Sequence, residues 1–247
     1  MNVYGLIGFP LTHSFSKRYF TEKFEKEGIP NSTYELFEIR EATALPSVIS
    51  SQPQLRGLNV TIPHKEAVIP LLDELDPAAE KIGAVNVIKV TEGNKLKGYN
   101  SDYYGFRNSL LKFLGEANPA ILKALILGTG GAAKAVIAAL DNLAIPYKLV
   151  SRSGEAPILR YEELNASLLD EYRLIINTSP LGMYPKTDTC PAIPYEYLTE
   201  KHYLFDLVYN PEETLFMKKG AERGAKTKNG LEMLHLQAEK AWEIWNS

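Results

Sequence analysis

Short apolar runs alternate with longer amphipathic stretches along this chain, the pattern of strands punctuated by helices. Val3-Tyr4-Gly5-Leu6-Ile7-Gly8 predicts a buried strand, closed by Phe9-Pro10-Leu11. After the loop Thr12-His13-Ser14-Phe15-Ser16, a helix is expected over residues 17–27, stopped by Gly28 and Pro30. Residues 34–39 alternate as a second strand, and residues 44–50 are weakly helical. An apolar lead-in over 55–58 then feeds Asn59-Val60-Thr61-Ile62-Pro63-His64-Lys65, where Asn59 and Thr61 share one strand face and Val60 and Ile62 the other. Pro63 cannot donate to a sheet ladder and ends the strand; Glu66-Ala67-Val68-Ile69 reads as the start of a helix running to about residue 75 and broken at Asp76-Pro77. Residues 83–90 predict a strand rich in β-branched side chains, which Glu92-Gly93-Asn94-Lys95 turns into a partner at 96–99. Asn100-Ser101-Asp102 ends that hairpin and opens a helix over 103–114.

A boundary falls at 115–120, after which the pattern restarts. Lys123-Ala124-Leu125-Ile126-Leu127 is an apolar strand leading directly into Gly128-Thr129-Gly130-Gly131-Ala132-Ala133 and a helix over 134–140. This is a G-x-G-x-x-A turn in the context that gives the motif meaning: the glycines let backbone approach a pyrophosphate, and small Ala133 lets helix pack on strand. Further strands are expected at 147–150, 174–179 and 203–209. Between the first two of these lies only a short, weakly helical segment around 161–164. Residues 214–223 read as a helix. From Asn229-Gly230 onward, Leu231, Leu234, Ala238, Ala241, Trp242 and Trp245 form one apolar stripe of a last helix, with Gln237 off its centre.

Composition narrows the picture without changing it. A length of 247 residues suggests two domains, and 45% hydrophobic with 23% charged residues is an ordinary globular balance. A net charge of -3 gives no electrostatic case for nucleic acid or an anionic membrane surface. The single cysteine, Cys190, excludes an internal disulfide, and no Cys/His cluster has zinc-ligand spacing, so no metal is expected and a cytoplasmic location is. Residues 1–10 lack a basic n-region, and no window approaches the roughly 20 apolar residues needed to span a bilayer.

The candidate chemistry sits at strand ends and helix starts. Asn59, Thr61 and Lys65 gather an amide, a hydroxyl and an ammonium where α/β proteins usually bind ligands, although a solvated strand end would look the same. Ser14 and Ser16 flank a helix start, where hydroxyls either cap backbone amides or, with the helix dipole, bind a carboxylate. Asn86 interrupts an apolar strand and must anchor a neighbouring backbone or face a ligand. Asp102 suits the first turn of its helix and also suits pairing with Lys65. After the strand at 147–150 comes Ser151-Arg152-Ser153. A ribose 2′-hydroxyl wants a carboxylate at this position and a 2′-phosphate wants a cation, so Arg152 favours NADP over NAD. Thr178 and Ser179 lie where a nicotinamide ribose would pass.

These residues, taken in order, resemble the shikimate dehydrogenase family. The likeness runs through Ser14-Phe15-Ser16, Asn59-Val60-Thr61-Ile62-Pro63-His64-Lys65, Gly83-Ala84-Val85-Asn86, Asn100-Ser101-Asp102, Gly128-Thr129-Gly130-Gly131-Ala132-Ala133, Asn177-Thr178-Ser179, and Asn229-Gly230-Leu231-Glu232-Met233-Leu234 with Gln237. It implies two α/β domains. One is a substrate-binding catalytic domain with a mostly parallel sheet, residues 1–105 completed by the returning C-terminal helix, 231–247. The other is a Rossmann-like NADP-binding domain, 106–230, with the active site in the cleft between them. It further implies that Ser14 and Ser16 bind the substrate carboxylate, and that Asn59, Thr61, Asn86, Asp102 and Gln237 hold its hydroxyl and keto groups. Tyr209 would stand near the substrate, Lys65 and Asp102 would be catalytic, and Leu207 and Gly230 would line the nicotinamide. Gly128, Thr129, Gly130, Gly131, Ala132, Arg152, Thr178 and Ser179 complete the implied cofactor set. The implied reaction is reversible reduction of 3-dehydroshikimate to shikimate by NADPH, an oxidoreductase step on a CH–OH group in aromatic amino acid (chorismate) biosynthesis. A monomer or homodimer is expected, with no nucleic-acid or membrane partner.

The chain departs from the family pattern in places. Ser16 is followed by Lys17 where proline is usual, Asp102 by Tyr103 and Tyr104 where glycine is usual, and Ser151-Arg152-Ser153 stands for Asn-Arg-Thr. Two other readings remain open: a quinate/shikimate dehydrogenase using NAD, against which Arg152 argues, and a non-catalytic metabolite sensor, against which retention of Lys65 and Asp102 argues.

Overall fold

The computed structural model describes residues 1–11 and 14–247, so the Thr12-His13 part of the expected first loop lies outside the described residues. The chain divides into two compact units, Met1–Ser101 with Ala238–Ser247, and Asp102–Gln237.

The first unit runs β1 (Asn2–Gly8), α1 (Phe15–Lys26), β2 (Ser32–Glu38), α2 (Leu45–Ser51), β3 (Leu55–Val60), β4 (Glu74–Leu75), α3 (Pro77–Ile82), β5 (Val87–Val90) and β6 (Leu96–Tyr99). Its six strands form one sheet in the order β2-β1-β3-β5-β6-β4. β1 pairs in parallel with β2 and β3, whereas β5 runs antiparallel to β3 and β6 as the hairpin signal at residues 92–95 predicts. Alternation along β1 divides the core. Val3 and Ile7 pack with Leu45, Val48, Leu58 and Val60 on one face, while Tyr4 and Leu6 pack with Phe20, Phe24 and Tyr34 on the other. Residues of the C-terminal segment complete this second layer: Ala238, Ala241, Ile244 and Trp245 are buried in it. Trp245 donates its indole N–H to the Ile88 carbonyl at 3.1 Å and lies flat over Gly57, where an added Cβ would fall 2.2 Å from the indole. Burying such side chains contributes about 1.5–3 kcal/mol each.

The second unit contains α4 (Ser101–Leu114, from its second residue), β7 (Ala124–Leu127), α5 (Gly131–Asn142), β8 (Tyr147–Ser151), β9 (Leu159–Arg160), α6 (Ala166–Glu171), β10 (Leu174–Asn177), β11 (Tyr203–Asp206), α7 (Leu215–Ala221), β12 (Lys226–Lys228) and the first part of α8 (Leu231–Asn246). Its sheet order is β12-β11-β10-β7-β8-β9, and every pairing is parallel. Numbered within this unit, the order is 3-2-1-4-5-6, the doubly wound arrangement with its reversal between β7 and β10. Both sheet faces are covered, so the central strands β7, β10 and β11 are largely apolar, whereas the edge strand β12 is Lys-Thr-Lys. Ala124 and Ile126 pack against Phe106, Val136 and Leu140, and Leu125 and Leu127 against Leu169, Phe216 and Met217.

Several elements differ from what periodicity predicts. The helix expected from Glu66 to about residue 75 is replaced by turns and a 3-10 turn at Ile69–Leu71. Pro70 has no N–H for the Glu66 carbonyl, and the chain instead donates from Asp73 and Asp76 to the carbonyls of Leu96 and Gly98, which lays β4 beside β6. Asp76-Pro77 does not merely end a helix but starts one, α3, with Asp76 as its cap accepting from the Ala78 amide at 3.0 Å. The strand expected over 83–90 begins only at Val87, because Gly83 is the left-handed cap of α3 at φ 67°. In the second unit, the weak helical signal at 161–164 is a 3-10 turn, and the crossover helix is the short α6, capped by Asn165. The helix after the glycine turn begins at Gly131 rather than 134. Leu231, counted in the apolar stripe of the last helix, is 37% exposed, and Met233 takes the buried place.

Candidate active site

The polar residues at the end of β3 are held from several sides. Thr61 donates its N–H to the Ile7 carbonyl at 2.9 Å, which extends the β1–β3 pairing past the formal end of the strand. His64 is buried, and its Nε2–H donates to the Ile39 carbonyl at 2.7 Å, since a carbonyl can only accept. Lys65, the next residue, accepts from the Val85 amide at 2.8 Å through its carbonyl. The backbone that carries the half-buried Lys65 side chain is therefore held on both sides. Ile62, beyond the strand, is 73% exposed, so the alternation expected of the motif holds for Val60 but not for Ile62.

Asn59 and Asn86 are both buried. Asn59 Oδ1 accepts from the Tyr34 hydroxyl at 2.7 Å. Asn86 lies just before β5 and joins two backbones: its N–H donates to Tyr99, its carbonyl accepts from Val60, and its side chain receives the Ser101 amide at 2.6 Å while donating to Ser101 Oγ at 3.0 Å. The backbone-anchor reading of Asn86 is thus observed. Ser14 is the cap of α1, its Oγ accepting from the Lys17 amide at 3.2 Å. That acceptor role leaves its hydroxyl proton for another partner. Ser16 lies in the first turn of α1, after the cap.

In the second unit, the glycine turn is built as a phosphate cradle requires. Gly128 has φ 117°, a conformation that L side chains rarely adopt, and a Cβ there would stand 2.8 Å from Thr178 Oγ1. Around Gly130 and Gly131 an added Cβ would meet nothing within 4 Å, so ligand atoms can come close to backbone. Gly130 caps α5 without a side-chain hydrogen bond, and the Ala133 amide donates to the Gly130 carbonyl at 2.9 Å, so the positive end of the helix dipole carries no side-chain acceptor at the cap. Ala133 is buried against the strands, as its motif position predicts. Thr129 and Ala132 lie in the same turn. Thr178 Oγ1 donates to the Leu127 carbonyl at 3.0 Å, joining the ends of β7 and β10 at the reversal of strand order. The donor set therefore fits a dinucleotide. Arg152 is exposed in the turn after β8, next to that site's expected ribose end, and its charge reaches Tyr161.

A second group clusters after β11. Leu207 donates its N–H to the Asn177 carbonyl at 3.0 Å, and a Cβ on Gly230 would collide with the Leu207 carbonyl at 2.1 Å, so the two residues expected to line the nicotinamide lie against each other. Tyr209 is 36% exposed in the following segment. Gln237 is buried on α8, donating to the Leu234 carbonyl at 2.9 Å, where Gly105 of α4 allows close approach. Asp102 is in the first turn of α4.

Sequence periodicity missed Tyr34, His64 and the Asn177–Asp206 pair. Asp206 is fully buried and accepts from Asn177 Nδ2 at 2.9 Å, the Val208 amide at 3.0 Å and Thr214 Oγ1 at 2.5 Å. An acid inside an apolar strand was a visible signal. Burial pushes its carboxyl up to about 6, outweighing the three hydrogen bonds that pull it down. A folded pKa above the unfolded one stabilises most below the unfolded value, and the contribution disappears as pH rises through about 6. The stability of the native chain relative to Asp206→Asn is therefore expected to fall by about 2 kcal/mol between pH 4.5 and 7.5. Urea unfolding at both pH values measures this; a pH-independent difference would sink it.

The fold and the cofactor turn define a class first: an α/β protein of two units, one of them a Rossmann-type dinucleotide-binding fold. Comparison with known proteins goes further. The model of the shikimate dehydrogenase substrate binding domain matches residues 6–88. The chain is 39% identical over 265 residues to a shikimate dehydrogenase (NADP(+)) of Desulforamulus reducens, covering 98% of this chain and 89% of the relative. It is 41% identical over 260 residues to a shikimate dehydrogenase (NADP(+)) of Clostridium beijerinckii, covering 99% and 92%. A crystal structure of a shikimate dehydrogenase in complex with NADP+ superimposes with a TM-score of 0.87 at 35% identity, over 99% of this chain and 90% of that one. This chain belongs to the shikimate dehydrogenase family. Among the described residues, no helix is long and apolar enough to cross a membrane.

Proposed function

We propose that this chain is an NADP-dependent oxidoreductase that interconverts 3-dehydroshikimate and shikimate, in the cytoplasm, as a step towards chorismate. The observation that carries the reading is the uncapped N-terminus of α5 behind Gly128-Thr129-Gly130, at the reversal of strand order in an all-parallel sheet. The near full-length likeness to enzymes named for this activity supplies the substrate.

The unit Met1–Ser101 with Ala238–Ser247 is assigned to substrate and the unit Asp102–Gln237 mainly to cofactor. The α5 amides, with Thr129, Gly131 and Ala132, would hold the pyrophosphate, Arg152 the 2′-phosphate, Thr178 and Ser179 the nicotinamide ribose, and Leu207 and Gly230 the ring. When bound, NADPH supplies the hydride. Ser14 and Ser16 are assigned the substrate carboxylate. Asn59, Thr61, Asn86, Tyr209 and Gln237 are assigned its ring hydroxyls. At the reacting carbon, negative charge develops on the ketone oxygen, and the Lys65 ammonium donates the proton that neutralises it. Asp102 accepts from a substrate hydroxyl next to that centre and orients it.

The test is a spectrophotometric assay at 340 nm, run as about the same experiment with shikimate and NADP and with quinate and NAD. Shikimate-dependent reduction of NADP is the expected result. Binding of shikimate without turnover would replace the enzyme by a sensor, and faster turnover with quinate and NAD would replace it by the other dehydrogenase.

A further inference from the structure

Tyr34 lies on β2, buried to 2% exposure, with its ring stacked on Phe20 at 4.8 Å and 11° and packed near Trp245 at 6.4 Å. β1 separates β2 from β3 in the sheet, and the tyrosine side chain spans that strand to reach Asn59. Its hydroxyl donates to Asn59 Oδ1 at 2.7 Å. The other contact of the Asn59 side chain, from Nδ2 to the Asn86 carbonyl, is 3.5 Å long and therefore weak. The orientation of a buried amide is thus set mainly by one phenol.

We propose that Tyr34 is a positioning residue for substrate: its hydroxyl fixes the orientation of the Asn59 amide. This rests on the substrate role given to Asn59 above. Because the phenol donates to Asn59 Oδ1, the Nδ2 edge of the amide stays fixed as a donor for a ring hydroxyl. Burial holds the phenol proton well above its ordinary range, so the amide keeps its direction through neutral pH. Tyr34 has no contact with substrate and acts through Asn59.

Tyr34→Phe removes the hydroxyl and keeps the ring that stacks on Phe20. The expected result is a KM for shikimate raised about tenfold, kcat within about threefold and an unchanged KM for NADP, the signature of lost binding rather than lost chemistry. Asn59→Ala raises KM by itself, and adding Tyr34→Phe to it is expected to change KM by less than about twofold, since neighbours acting through one group are not additive. Titration of shikimate into each protein, followed by fluorescence of Trp242 and Trp245, reads the same binding without turnover. A folded Tyr34→Phe with native KM and affinity overturns the proposal, as do effects of the two changes that multiply. A Tyr34→Phe chain that fails to fold, by far-ultraviolet circular dichroism, overturns it in favour of a purely structural tyrosine. A native chain that binds shikimate without turnover defeats only the enzymatic reading, and the titration then judges Tyr34. A native chain that does not bind shikimate overturns both.

Discussion

Lys65→Ala is expected to lower kcat about 1000-fold while KM for shikimate stays within about threefold, because positioned general acids contribute of order 100- to 10,000-fold to rate and little to binding. The expectation follows from where Lys65 stands. Its backbone is held by the Val85 amide on one side and by buried His64, bonded to the Ile39 carbonyl, on the other. A held backbone fixes where the lysine side chain starts, and proton donation at the ketone oxygen is the source of the rate effect. In the proposed function substrate binding is assigned to other groups, Ser14, Ser16, Asn59 and Thr61 among them, which the substitution leaves alone. Initial rates against shikimate and NADP measure both constants. A large rise in KM with native kcat would show that Lys65 binds substrate without donating a proton, and the role would pass elsewhere.

Arg152→Ala is expected to raise KM for NADP about 10- to 30-fold and to leave kcat/KM with NAD nearly unchanged, reversing or erasing the cofactor preference. A guanidinium bonded to a 2′-phosphate contributes roughly 1.5–3 kcal/mol, and the exposure of Arg152 places the expectation in the lower part of that range. No carboxylate stands in Ser151-Arg152-Ser153 to read a 2′-hydroxyl instead. The effect weakens with added salt, since an exposed pair is screened within about 10 Å at 0.1 M. Equal losses with NADP and NAD would show that the turn after β8 is damaged as a whole, and native selectivity in Arg152→Ala would remove Arg152 from the cofactor set.

The fold was legible where one physical signal dominated. β7, β10 and β11 are apolar runs because a parallel sheet is covered on both faces, and the glycine turn could be placed because its strand and helix flank it in the chain. Ser14 was legible in kind as well, being the cap that a serine before a helix predicts. Legibility failed where local signals compete. Residues 66–75 carry a helical run and a proline together, and the structure resolves them in favour of Pro70 and a strand pairing with β6 that no local window contains. The short strands β9 and β12 went unseen because two or three residues carry no period. Asp76-Pro77 was read as a stop when it is the start of α3, since cap and breaker use the same letters.

By itself the sequence determined the class of fold, the cofactor turn and the family likeness, because each is written in contiguous motifs whose chemistry is local. It also supplied the residues assigned to substrate, as an ordered list without distances. Only the tertiary structure decided which of these side chains share partners. Tyr34 and Asn59 are 25 residues apart in the chain and meet across β1. Asn177, Asp206 and Thr214 likewise meet from two strands and the cap of a helix. Periodicity reports which face a residue occupies, whereas a buried polar atom must find its partner wherever the sheet order brings one.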